Sequence, residues 1–155
     1  MRDSVSKLVF ILGICILLFA VSGCRPFKAE IPSAFAVSRE RGNILIYSHD
    51  GFKMGIKTER NRPRRDTLFW AGALKTALKN RGYFLIDEAP FSSVNLEGKK
   101  MIWLMPLNHT YYKYMTAVAV RGRKIYIIEA SGERGVFDSY EEDIAGIISS
   151  LSARR

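Results

Sequence analysis

Two apolar-rich segments, Tyr111 to Val120 and Lys124 to Ala130, lie on either side of Arg121-Gly122-Arg123. Their alternation, visible as Ile125 and Ile127 against Tyr126 and Ile128, commits the C-terminal half to an antiparallel hairpin. Similar signals recur upstream. Asn43 to Ser48 reads as a strand, His49-Asp50-Gly51 supplies an Asp-Gly turn, and Phe52 to Thr58 is its partner. Tyr83 to Asp87, closed by Ala89-Pro90, and Lys99 to Leu107 are further strands. Between them, Thr67 to Arg81 places Leu68, Ala71, Leu74, Ala77 and Leu78 on one helical face, with Asp66 as cap and Gly82 at the stop. Asp138 and Glu141 form a capping-box pattern that opens a last helix, with Tyr140, Ile144, Ile147, Ile148 and Leu151 as its buried stripe. This order predicts the α+β class: a single domain in which an antiparallel sheet is flanked by two main helices.

The first residues belong to a different regime. Arg2 and Lys7 precede an apolar run from Leu8 to Ala20, which ends in Val21-Ser22-Gly23-Cys24, the layout of a secretory signal. The four residues Val21 to Cys24 resemble a bacterial lipobox. That resemblance implies cleavage between Gly23 and Cys24 after a diacylglyceryl group is attached to the Cys24 sulfur. Each buried acyl methylene contributes about 0.8 kcal/mol, so two or three chains make a near-permanent anchor. The competing reading is an uncleaved membrane helix, for which a run needs roughly 20 apolar residues; this one is shorter. Arg25 stands where aspartate retains enteric lipoproteins at the inner membrane, which favours the periplasmic face of the outer membrane. The expected organisation is a signal peptide over 1–23, a lipidated tether with Pro26 and Pro32 over 24–38, and the α+β domain over 39–155.

Cys15 falls in the segment to be removed and Cys24 carries the lipid, so the remaining domain has no thiol. A disulfide scaffold, a thiolate metal site and a cysteine nucleophile are thereby excluded, and stability rests on packing. The 132 residues from Cys24 onward are enough for one core. Loss of Arg2, Lys7 and Asp3 lowers the formal charge only from +9 to +8. A body this basic outside the cytoplasm meets anionic lipid headgroups or cell-wall polymers; nucleic acid is not expected, because no reader motif accompanies the charge.

A second resemblance lies in the C-terminal quarter. Gly122-Arg123-Lys124-Ile125-Tyr126 carries a turn glycine and a G-x-x-Y step with one residue more than the family spacing. Ala130-Ser131-Gly132 follows as a small-residue strand end, and Ile148-Ser149-Ser150-Leu151 as an apolar-Ser helix end. Val118 to Leu151 thus resembles the end of PsbP-like and DcrB-like domains. The resemblance implies a PsbP-like or DcrB-like sandwich and a non-enzymatic binding or assembly role with an envelope protein as partner.

Chemistry is sparsely signalled. His49 and His109 sit in different turns without metal-ligand spacing, and no cofactor or metal is expected. No serine lies in a nucleophile elbow, and no glycine pattern cradles phosphate. Glu141-Glu142-Asp143 occupies a first helical turn, where the helix dipole accounts for it. Two surfaces remain as candidates. Arg60, Arg62, Arg64 and Arg65 surround Pro63 in one loop, with guanidinium forks suited to phosphate or carboxylate; a solvated connector is the plainer reading. Tyr112 and Tyr114, the candidate aromatic contact, share one face of a strand while Tyr111 and Lys113 share the other, so at least one tyrosine pair packs in the core and the half that faces water can stack on a sugar ring or a partner side chain; core packing is the plainer reading for most of the cluster. The expected function is a non-catalytic, membrane-anchored envelope lipoprotein acting as a binding or assembly module; its rivals are an anionic lipid or polyanion binder using the arginine loop and a hydrolase built on His109.

Overall fold

The computed structural model describes residues 26–40, 42–107 and 110–154. The leader, Cys24, Arg25 and His109 lie outside them. In chain order the elements are β1 (Phe27–Lys28), β2 (Ala36–Glu40), β3 (Asn43–Tyr47), β4 (Lys53–Arg60), α1 (Thr67–Asn80), β5 (Phe84–Ser92), β6 (Glu97–Leu107), β7 (Thr110–Arg121), β8 (Lys124–Glu133), α2 (Arg134–Ser139), α3 (Glu141–Ser150) and β9 (Ser152–Ala153). Seven strands form one sheet in the order β2-β3-β4-β8-β7-β6-β5, every neighbouring pair antiparallel. β1 and β9 form a separate two-stranded ribbon. The predicted class is the observed one.

The sheet is covered on both faces at its centre. Met115, Ala117 and Ala119 of β7 and Tyr126, Ile128 and Ala130 of β8 point into one cluster, completed by Phe137, Ile144, Ile147 and Ile148 from α2 and α3. The alternate residues Val118 and Ile125 point the other way, onto Met101 and Trp103 of β6 and onto Ala71 and Leu78 of α1. The Trp103 indole Nε1 donates to the Thr116 hydroxyl at 3.0 Å, and both residues are 0% exposed. One helix thus packs on one face and two on the other.

The predicted helix is capped as expected. Asp66 accepts from the Phe69 amide at 2.8 Å, and Gly82 takes a left-handed φ of +84° just past the end. Gly122 has φ +60° in the β7–β8 turn, a conformation that side chains with a Cβ adopt reluctantly. Leu68 and Ala77 are exposed, however, and the α1 residues that meet the core are Trp70, Ala71, Leu74 and Leu78.

Four expectations are corrected. The stretch after Cys24 is no tether from Pro26 onward: Phe27 is 2% exposed, it pairs with Ala153, and Phe35 packs on Phe52 and Tyr140. β2 then adds an edge strand from Ala36, ahead of the predicted domain start. Strand β5 runs through Ala89-Pro90 to Ser92, which an edge strand allows because the missing proline N–H faces outward. Asp138 opens no capping box; it lies inside α2 and pairs with Lys113, while α3 follows Tyr140 without a side-chain cap.

Replacing Phe27 by alanine is expected to lower unfolding free energy by about 3–5 kcal/mol, the cost of emptying a packed aromatic site. A flexible tether would give a change within about 0.5 kcal/mol. Urea unfolding of the two proteins decides.

Candidate functional site

Of the two surfaces singled out in the sequence, the arginine loop has the stronger architecture. Strand β4 ends at Arg60, which pairs with Lys124 at the start of β8. The next residue, Asn61, is 4% exposed. Its backbone N–H donates to the Arg123 carbonyl at 2.9 Å, and its side-chain Nδ2 donates to the Arg65 carbonyl at 2.9 Å and the Gly122 carbonyl at 3.4 Å. Its Oδ1 accepts from the Arg65 amide at 3.1 Å and from the Trp70 indole Nε1 at 2.8 Å. One buried amide therefore ties the loop to itself, to α1 and to the β7–β8 turn. The connector is a built structure.

That turn brings a second basic group. Arg121, Arg123 and Lys124 stand beside Arg60, Arg62, Arg64 and Arg65, and all seven side chains are exposed. The five ion pairs among the described residues are all made by lysines, none by arginine. The Arg65 guanidinium lies 5.4 Å from the Phe69 ring centroid, and Arg121 Nη1 donates to the Asn95 carbonyl at 3.2 Å. The Thr67 hydroxyl accepts from the Val120 amide at 3.1 Å and fixes the start of α1 against the same end. An open groove of about 750 Å³ runs there between Thr67-Leu68 and Ser93-Val94-Asn95. Such an end can bind anions.

The tyrosines divide by the two faces of β7. Tyr111 is exposed. Tyr114 packs against the α1-side core, its ring 5.5 Å from that of Tyr83 and its hydroxyl donating to Glu129 Oε1 at 2.7 Å. Glu129 also accepts from Lys57 Nζ at 2.8 Å. Burial first, and then the Glu129 bond, raise the Tyr114 phenol well above its ordinary range. Tyr112 lies half-buried on the same face as Tyr114. On the opposite face Lys113 is pushed down by burial, but bonds to Asp138 and Glu141 outweigh this and leave it raised.

His49 is exposed in the β3–β4 turn beside Asp50, whose carboxyl is lowered chiefly by the Ser48 hydroxyl. Among the described residues no three histidine, cysteine or acidic side chains gather as a metal site. Nor is any described helix long and apolar enough to cross a membrane.

No family model and no curated protein matches the chain. Solved structures do. LpqN, involved in cell envelope biogenesis of Mycobacterium tuberculosis, superposes with a TM-score of 0.66 at 10% identity, covering 83% of each chain. CyanoP, the cyanobacterial PsbP of Synechocystis, superposes with a TM-score of 0.59 at 7% identity, covering 87% of this chain and 96% of its own. This chain has a PsbP-like fold. A Bacteroides thetaiotaomicron protein also matches, with a TM-score of 0.57 at 15% identity; 84% of this chain is covered but only 46% of that one, so this chain spans less than half its length. Within the PsbP-like fold, the segment that carries the sequence resemblance is β7, β8, α2 and α3, the central hairpin and the helices on one face of it.

Sequence reading missed Asn61 and the approach of the β7–β8 turn. The pairing of β4 with β8 is non-local, and a lone asparagine among arginines carries no pattern. Asn61→Ala is expected to destabilise the domain by about 2–3 kcal/mol, since the Trp70 N–H and the Arg65 backbone lose their partners. Hydrogen exchange at the Arg65 amide should accelerate with it.

A second outcome concerns pH. With Tyr114 and Lys113 both raised, the native state holds protons that the unfolded chain loses above pH about 10. Their contribution is therefore complete below that pH and declines above it. Tyr114→Phe should flatten the alkaline fall in unfolding midpoint.

Proposed function

We propose that this protein is a non-catalytic binding module of the bacterial cell envelope, anchored by lipid on Cys24 and using its arginine-rich end as the contact surface. The observation that carries this reading is the loop held by Asn61, which presents un-neutralised guanidinium groups from a fixed backbone. Fixed donors lose less conformational entropy on binding an anion than a mobile connector would. The lipobox-like Val21 to Cys24 supplies the address, and Arg25 favours the periplasmic face of the outer membrane. The fold likeness to LpqN, which is involved in cell envelope biogenesis, agrees with this setting. The partner is an anionic envelope component or an acidic protein surface.

Metabolic labelling with a palmitate analogue tests the anchor: the native chain should incorporate label and Cys24→Ser should not. Capture after mild cross-linking tests the surface. A component recovered with the native protein should fall at least about tenfold when Arg60, Arg62, Arg64 and Arg65 are replaced by serine, with recovery falling further in high salt. A partner retained equally by both forms would remove the arginine end from the function.

A further inference from the structure

We infer that the arginine-rich end docks on an anionic phospholipid surface, the membrane that holds the chain's own anchor. This rests on the envelope-anchored reading above and adds the ligand and the orientation. Three separate features meet at that end of the domain.

The first is charge. The loop and the β7–β8 turn project cations from one end, where the carboxylates are Glu40, Glu59, Glu97 and Asp66, the last already capping α1. The other end carries both signs: Asp50 in the β3–β4 turn, Glu133 at the close of β8, Asp138 in α2 and Glu141, Glu142 and Asp143 in the first turn of α3 stand there with Lys53, Lys79, Arg81, Lys113 and Arg134, so the excess of cations is at the arginine end alone. The resulting polarity orients the domain above a negative surface.

The second is exposed apolar area beside the cations. Leu68 and Val94 are each 66% exposed and Phe69 47% exposed. Leu68 and Val94 rim the groove walled by Thr67, Asn95 and Arg121, and Phe69 lies under the Arg65 guanidinium. Apolar tips that enter the headgroup boundary among arginines that reach phosphates are the chemistry of an interfacial contact. A purely polar anionic polymer would leave these three side chains without a partner.

The third is the place where the chain leaves the domain. The Pro26 carbonyl accepts from the Arg154 amide at 2.9 Å, and Phe27 pairs with Ala153. Asn95 brackets Ala153, accepting from its amide at 2.7 Å and donating to its carbonyl at 3.0 Å. The backbone carbonyl of the same Asn95 takes the Arg121 hydrogen bond. The described chain therefore begins at the basic end. Cys24 stands two residues before Pro26, at most about 7 Å of extended backbone. An acyl anchor so close to the domain brings this end, and no other, against the bilayer.

The test uses the full chain on vesicles with brominated acyl chains, either phosphatidylcholine alone or a mixture containing phosphatidylglycerol. Val94→Trp reports on the basic end and His49→Trp on the opposite end, each read against the parent, and sedimentation with vesicles is scored separately. Docking predicts that the added emission at position 94 is quenched in phosphatidylglycerol vesicles and that at position 49 is not. Serine at Arg60, Arg62, Arg64 and Arg65, or 0.5 M salt, should reduce that quenching at least about fivefold. Failure of the lipid anchor alone would show as sedimentation restricted to phosphatidylglycerol vesicles with quenching at 94 kept. Sedimentation without selective quenching at 94, equal quenching in both lipids, or no sedimentation with phosphatidylglycerol would overturn the inference. So would a soluble anionic polysaccharide that binds through the arginines while position 94 stays unquenched on vesicles, which would assign the surface to a polymer.

Discussion

Strands β7 and β8 are buried on both faces, and the rest of the molecule is arranged to meet that requirement. Five consecutive residues, Met115 to Ala119, are inaccessible to solvent, so neither face of the central hairpin can be left open. Helix α1 closes one face and α2 with α3 close the other. The long segment from Pro26 to Phe35 passes along α3, where Ser150 Oγ accepts from the Glu30 amide at 2.9 Å, and seals the second cluster with Phe27 and Phe35. Burial here also demands full hydrogen bonding. Among the described residues no buried side-chain polar atom lacks a partner, and Thr116 is acceptable in the core because Trp103 donates to its hydroxyl.

The basic end is a by-product of the same arrangement that the protein has elaborated. Once β4 pairs with β8, Arg60 and Lys124 must be neighbours, and the loop that returns to α1 has to cross the β7–β8 turn. Like charges placed this closely repel, and over distances near the Debye length of about 8 Å solvent screens them only in part. Asn61 supplies hydrogen bonds that hold the loop in place against that repulsion. Lysines elsewhere are treated differently. Lys57, Lys75, Lys99 and Lys113 each meet a carboxylate, and the Lys75 bond, opposed by slight burial, leaves Glu88 below its ordinary range. Those four lysines are paired, whereas Arg60, Arg62, Arg64 and Arg65 make no ion pair among the described residues.

Local patterns were legible where one face met the core and the other met water. The helix from Asp66 to Gly82, the β3–β4 pair across Asp50-Gly51 and the hairpin around Gly122 all carried their own start, period and stop. Leu68 misled because helical periodicity says which residues share a stripe and nothing about which of them the sheet covers, and the core contact goes instead to Trp70. β1 and β2 were illegible for a related reason: Phe27 and Phe35 are isolated aromatics among prolines, and only the distant β9, Phe52 and Tyr140 give them a place. The four arginines were visible as a cluster, yet their three companions from the turn and the asparagine that fixes them come from contacts across the fold. For Tyr114, alternation gave the correct face, while the bond to Glu129 depends on register.

The folded N-terminal segment changes what an anchor at Cys24 can accomplish. A flexible tether of 15 residues would let the domain sample every orientation within reach, holding any surface near the membrane only part of the time. With Phe27 locked into the core and paired with Ala153 beside Asn95, an anchor at Cys24 would confine the domain to a narrow range of poses. Such confinement would raise the effective concentration of the arginine end at a bilayer, so that contacts too weak to hold a free domain would suffice for one already delivered. It would also leave the opposite end, with α2 and the start of α3, turned away from that membrane. The two ends can then serve separately, one facing lipid and the other facing the aqueous compartment.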